Sequence, residues 1–173
     1  MLLMKSQLKR SFMLFSLLTC LFPSCGKGQV QNGAYSAMLK TLLGHTVAET
    51  SVKDTQASPN ALLLDARTSA EYKVSHLKNS VFVGFNDFDL GRLPQNTPKD
   101  QPIIVYCSVG YRSEKVSEQL QKAGYTNVKN LVGGIFEWKN AGGKVYNNAG
   151  ETENVHVYNR TWGIWLQKGK KVY

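Results

Sequence analysis

A chain of 173 residues suits one domain of ordinary size and is short for two. With 42% hydrophobic and 19% charged residues it has the make-up of a globular protein, which excludes a disordered one. The net charge of +9 favours anionic partners in general, but no Lys/Arg block is longer than Lys170-Lys171 and no nucleic-acid motif is present, so no nucleic-acid partner is expected.

Met1–Arg10 is short and positive through Lys5, Lys9 and Arg10, and Ser11–Phe22 is apolar and free of charge. Followed by Pro23, Ser24 and Cys25, these two regions predict a secretory signal over 1–24. The apolar run falls short of the about 20 residues that span a bilayer. Cys25 behind Ser24 resembles the lipobox of bacterial lipoproteins, where the Cys is acylated and becomes the mature N-terminus. Phe22 and Pro23 are not the usual residues at the two preceding positions, Cys20 is a second candidate, and cleavage without lipidation is a third reading. The resemblance implies export, to the periplasm or to a membrane surface through a lipid on Cys25. Cys107 is then a lone thiol with no intramolecular disulfide partner, which leaves a buried inert Cys or a reactive one.

Residues 25–41 are polar and read as a tether. From Leu42 short apolar runs alternate with helical patterns, as in α/β proteins, and a domain is expected over 42–146. Ala61–Asp65 is a continuous apolar run ending in Asp, the pattern of a strand buried on both faces. Ser69–Val74 reads as a short helix capped by Ser69, and Ser80–Phe85 as a second strand. Residues 86–100 are loop-rich, with Pro94 and Pro98. Pro102–Tyr106 is a third strand. Ser113–Ala123 is a helix with Val116, Leu120 and Ala123 on one face and Gly124 just past its end. Asn127–Val132 is a fourth strand, and residues 133–141 form a helix led by Gly133-Gly134. Residues 147–173 differ in character, with Tyr158, Trp162, Trp165 and Tyr173 among polar and basic residues. They read as an extension whose aromatics pack on the domain, with a membrane- or partner-facing patch as the alternative.

The chemistry lies in Ile103-Ile104-Val105-Tyr106-Cys107-Ser108-Val109-Gly110-Tyr111-Arg112-Ser113: a strand, a Cys, four residues, an Arg and a helix. A loop between a strand end and a helix N-terminus presents unpaired backbone N–H groups, which converge into an anion nest when the loop curls. The helix dipole adds partial positive charge, and Arg112 adds a full one. A Cys at the base of such a nest is favoured as thiolate. Gly110 lets the loop take backbone angles that a Cβ resists.

The Cys-x-x-Gly-x-Arg-Ser pattern from Cys107 to Ser113 resembles the active loop of rhodaneses. The likeness extends to Leu62-Leu63-Leu64-Asp65-Ala66-Arg67, Glu71-Tyr72, Ser75-His76-Leu77, Asn79-Ser80, Gly124-Tyr125-Thr126-Asn127-Val128, Leu131-Val132-Gly133-Gly134-Ile135 and Trp138. It implies a rhodanese-like α/β fold, with a central, mainly parallel sheet flanked by helices on both faces. It also implies a sulfurtransferase that carries sulfane sulfur as a Cys107 persulfide, from a persulfide, polysulfide or thiosulfate donor to cyanide, a small thiol or a protein thiol. Cys107 is then the nucleophile and Arg112 its charged or loop-pinning companion. The backbone of Ser108, Val109, Gly110, Tyr111 and Ser113 forms the substrate loop.

Four residues stand between Cys107 and Arg112, whereas related cell-cycle phosphatases and arsenate reductases have five, so phosphatase and arsenate reductase are the less favoured enzymes. A sulfide- or redox-sensing or protein-binding module without turnover is the rival outside enzymology. The chain departs from the family at Ser75, where Gly is usual, and in a loop interior without basic residues, which favours persulfide, polysulfide or protein donors over doubly negative thiosulfate. Asp65, Arg67, Glu71 and His76 read as structural partners, Gly133-Gly134 as a tight turn and Trp138 as core. His45 and His156 make no metal-ligand spacing with Cys107, so neither metal nor other cofactor is expected.

Overall fold

The computed structural model describes residues 30–173; the expected signal segment 1–24 and Cys25 lie outside them. Helix α1 (Gly33–Leu42) leads to strand β1 (Ala48–Thr50), helix α2 (Val52–Gln56), strand β2 (Leu62–Asp65), helix α3 (Ser69–Val74) and strand β3 (Val81–Phe82). A 3₁₀ turn at Leu90–Arg92 precedes β4 (Ile103–Tyr106), α4 (Tyr111–Lys122), β5 (Val128–Leu131) and α5 (Gly134–Asn140). The chain closes with β6 (Val145–Asn147), β7 (Gly150–Thr152), β8 (Asn154–His156), α6 (Arg160–Gly163) and β9 (Lys170–Val172).

The first five strands form one parallel sheet in the order β1-β5-β4-β2-β3. Strand β4 sits at its centre with all four residues buried, which accounts for its unbroken apolar sequence. Side chains alternate between faces. Ile104 and Tyr106 join a core with Tyr35 and Leu39 of α1 and Ile135 and Phe136 of α5. Ile103, Val105 and Cys107 join the other, with Val116 and Leu120 of α4. Helices therefore cover both faces, as the sequence predicts.

Several expectations need correction. The segment expected as a tether holds α1 over 33–42, capped by Asn32, with Tyr35 and Leu39 buried. Its short apolar stripe, two residues at i and i+4, is hidden among polar neighbours. Strand β1 has the sequence Ala-Glu-Thr, and as a short edge strand it shows no apolar run. The cap of α3 is Thr68, not Ser69, in a reciprocal capping box with Glu71. The strand expected over 80–85 is ordered as Val81–Phe82 alone, because the N–H groups of Val83 and Gly84 both turn to the Asp65 carbonyl and Gly84 has positive φ (74°). Helix α4 begins at Tyr111, two residues ahead of Ser113.

The extension is built into the domain. Strands β6 and β7 pair as a hairpin across the expected boundary at 146/147, and Tyr146 bridges to His76. Val155, Val157 and Leu166 lie in the same core as α1. Trp165 stacks on Tyr35 at 5.2 Å, and Asn140 of α5 donates to the Trp165 carbonyl and accepts from the Gln167 N–H.

Candidate active site

Cys107 follows the last residue of β4 and keeps that strand's alternation, so its side chain lies beneath the start of α4, 1% exposed. The loop above it is shaped from behind. The carbonyls of Cys107, Ser108 and Val109 accept the N–H groups of Ile135 (2.9 Å), Phe136 (3.2 Å) and Gly133 (3.1 Å). No peptide among the described residues is cis, and in a trans peptide the N–H points opposite to its carbonyl. Tying the carbonyls toward α5 therefore turns the N–H groups of Ser108, Val109 and Gly110 the other way. The Gly110 N–H reaches Cys107 Sγ at 3.1 Å. Tyr111, Arg112 and Ser113 are the first three residues of α4, whose N–H groups have no acceptor within the helix. These amides lie on the side of the loop where the sequence leads one to expect a nest, with Gly110 (φ 121°) at its bend.

The Gly133-Gly134 pair does more than make a tight turn. Gly134 has φ +53°, and a Cβ there would stand 2.3 Å from the Cys107 carbonyl oxygen. The start of α5 can approach the Cys107 loop closely enough to bond it because this position lacks a side chain. Asn130 of β5, which sequence reasoning passed over, braces the other side. Its Oδ1 accepts from Ser113 Oγ (2.7 Å) and its Nδ2 donates to the Gly110 carbonyl (3.0 Å). An Asn on the strand beside Leu131, next to the outward Lys129, was the one signal that could have marked it.

Arg112 lines the site, but its guanidinium is directed at Glu71. Nη1 donates to Oε2 (2.8 Å), Nη2 to Oε1 (2.7 Å), and Nη2 also to Ser108 Oγ (2.9 Å). Ser108 Oγ donates in turn to Glu71 Oε1 at 2.9 Å. Of the two roles expected for Arg112, loop pinning is the one this geometry serves, and its charge is largely met by Glu71. Burial opposes the Glu71 charge, yet the Arg112 hydrogen bonds and charge overcome it and hold the carboxyl at about 2, below its usual 4.5.

A lowered folded value means that this pair contributes stability above the unfolded carboxylate pKa and loses it as pH falls toward 2. The expected contribution is about 3 kcal/mol. Denaturant unfolding from neutral pH to about pH 2 should show Glu71→Gln less stable at pH 7 by about that amount. The gap to wild type should close between about 4.5 and 2. A pH-independent gap would mean that Glu71 acts through packing alone.

The remaining predicted residues lie away from Sγ. Asp65 and Arg67 form a fully buried pair (2.6 Å), and Arg67 also donates to the Ser75 carbonyl, bracing β2 against the end of α3. His76 bonds the Tyr72 carbonyl through Nδ1 and stacks on the Tyr72 ring at 4.0 Å. Trp138 is partly buried against the core, and its indole N–H donates to the Lys144 carbonyl.

A cleft of about 480 Å³ opens over Cys107 at the carboxyl ends of the parallel strands, where open α/β sheets bind ligands. Thr68 and Ser69 line it after β2, Phe85, Asn86 and Asp87 after β3, and Val109 and Tyr111 after β4. Leu42 of α1 and Tyr158 and Trp162 of the extension complete it.

Fold and site together define a parallel α/β domain that presents a Cys at the end of its central strand, beneath a loop that leads into a helix N-terminus. The family model described as rhodanese-like domain matches residues 48–141, and the chain belongs to that family. Curated relatives include proteins named tRNA uridine(34) hydroxylase. That of Onion yellows phytoplasma is 41% identical over 83 residues, covering 46% of this chain and 27% of the relative. That of Hamiltonella defensa is 36% identical over 102 residues, covering 56% and 27%. The chain thus spans about a quarter of the length of these relatives. Among solved structures, the BH2092 protein of Bacillus halodurans aligns with TM-score 0.54 and 24% identity over 68% of this chain and 86% of that one, a likeness of fold. The thiosulfate sulfurtransferase of Pseudomonas aeruginosa aligns with TM-score 0.53 and 25% identity over 58% and 20%.

Proposed function

We propose that the protein is a sulfurtransferase that carries sulfane sulfur as a persulfide on Cys107. The observation that supports this most is the Gly110 N–H on Cys107 Sγ, with the first amides of α4 beside it and the loop carbonyls tied away. Such a cradle stabilises negative charge on Sγ and on a sulfur attached to it. The Cys107 thiolate attacks the outer sulfur of a donor R–S–SH. The bond from Sγ to that sulfur forms, the donor S–S bond breaks, the electron pair leaves as R–S⁻, and the proton stays on the transferred sulfur. An acceptor thiolate then attacks that sulfur, releasing Cys107 as thiolate and forming the acceptor persulfide. Cyanide in the same role gives thiocyanate and a proton.

The similarity to a thiosulfate sulfurtransferase supports the reaction type. The same proposal has the domain exported and held at a membrane through Cys25, on the strength of the charged and apolar N-terminal regions.

The test is the intact mass of the full-length protein after brief exposure to polysulfide. A gain of one sulfur atom, removed by cyanide with stoichiometric thiocyanate and repeated over many cycles, is expected. An adduct that forms once and never turns over would replace the transferase with a sensor. A faster rate with an aryl phosphate than with any sulfur donor would replace it with a phosphatase.

A further inference from the structure

Resting on the persulfide reading, we infer that Tyr158 and Trp162 make this site selective for thiols with an apolar body, as donor or acceptor, over small hydrophilic sulfur anions. Three independent features carry this. The first is size and lining. A cleft of about 480 Å³ falls in the range that holds an organic ligand, far more room than a two-atom cyanide needs. Leu42, Phe85, Val109, Tyr111, Tyr158 and Trp162 give it an apolar and aromatic wall.

The second feature is charge. Among the described residues, Arg112 is the one cation of the lining, and its fork is bound on both nitrogens by Glu71. The acidic Asp87 stands on the rim, paired outward with Arg92. Among the described lining residues a doubly negative donor meets no free cation, whereas an apolar body needs none.

The third is the backbone at Tyr158. Its φ of +64° lies in the left-handed region, which disfavours a bulky side chain. The residue is held there between buried Val157 and Asn159, whose side chain caps α6. The residue is 59% exposed and lines the cleft, its ring centre 5.9 Å from the Arg112 guanidinium carbon. Strain of this kind persists where surrounding structure enforces it and clusters at ligand sites. The core gains little from so exposed a ring, so the aromatic placement serves the cleft. Tyr158 and Trp162 also lie beyond the 48–141 segment that matches the family, so the matched segment by itself does not supply this wall.

The experiment loads full-length protein with polysulfide and follows discharge of the Cys107 persulfide by phenylmethanethiol, by glutathione and by cyanide. Wild type, Tyr158→Asn and Trp162→Ala are compared. Wild type is expected to favour phenylmethanethiol over glutathione. Each variant should lose about tenfold of that preference, as expected for one lost aromatic contact. Tyr158→Asn should melt no lower than wild type, because Asn tolerates left-handed backbone, so its loss of preference cannot come from unfolding. A wild-type adduct discharged without preference, or a preference untouched in both variants, would overturn the selectivity and leave the carrier reading standing. Absence of any adduct would overturn both.

Discussion

Cys107→Ser is expected to reduce thiocyanate formation by at least about 10⁴-fold while leaving the fold intact, since removing a covalent nucleophile eliminates the route itself. Ser is close in size and its Oγ can still accept the Gly110 N–H that now reaches Sγ at 3.1 Å. The side chain lies in the α4-side core with Val105 and Val116, so a smaller polar atom there should lower stability by only about 1 kcal/mol. A hydroxyl is a far poorer nucleophile toward sulfur than a thiol and cannot hold a sulfane sulfur. Turnover within about tenfold of wild type would show that another group carries the sulfur, and Cys107 would then revert to an inert core residue.

Gly134→Ala is expected to lower stability by about 3 kcal/mol or more and to depress turnover of whatever folded protein remains. The added Cβ would meet the Cys107 carbonyl oxygen at 2.3 Å and the Ser108 carbonyl carbon and oxygen at 2.8 Å. These are backbone atoms and cannot rotate away as a flexible side chain would. The φ of +53° adds a further penalty for any residue with a Cβ. Relief requires α5 to withdraw, which breaks the bonds from Ile135 and Phe136 to the loop carbonyls and frees the cradle amides to turn. Gly142→Ala is the matched control: its φ is +89°, but nothing lies within 4 Å of its Cβ position. Denaturant unfolding separates the two effects. Equal losses at both glycines would mean that backbone conformation, and not contact with the catalytic loop, sets the requirement at 134.

The two halves of this site were not equally legible. The strand, Cys107 and the start of α4 are contiguous, and β4 is buried on both faces, so apolar run, Gly110 and helix pattern mark them in the amino-acid order alone. That order also determined the parallel α/β class, because apolar strands alternating with helical stretches leave few other arrangements. It could not determine that Gly133 and Gly134 lie behind the loop, since a Gly-Gly pair before a helix satisfies a turn equally well. Nor could it assign Glu71 to Arg112 across 41 residues, although it marked Glu71 as a structural partner. Those contacts follow from the strand order β1-β5-β4-β2-β3, which sets α3 and α5 beside the end of β4. The tertiary structure alone decided the roles of α1 and the extension. Each carries too short an apolar pattern to announce itself, and each is ordered by packing on the other, Tyr35 against Trp165. Local periodicity encodes an element that has a continuous buried face of its own. An element whose buried face is completed by a distant part of the chain, as that of α1 is by Trp165, becomes legible only after folding.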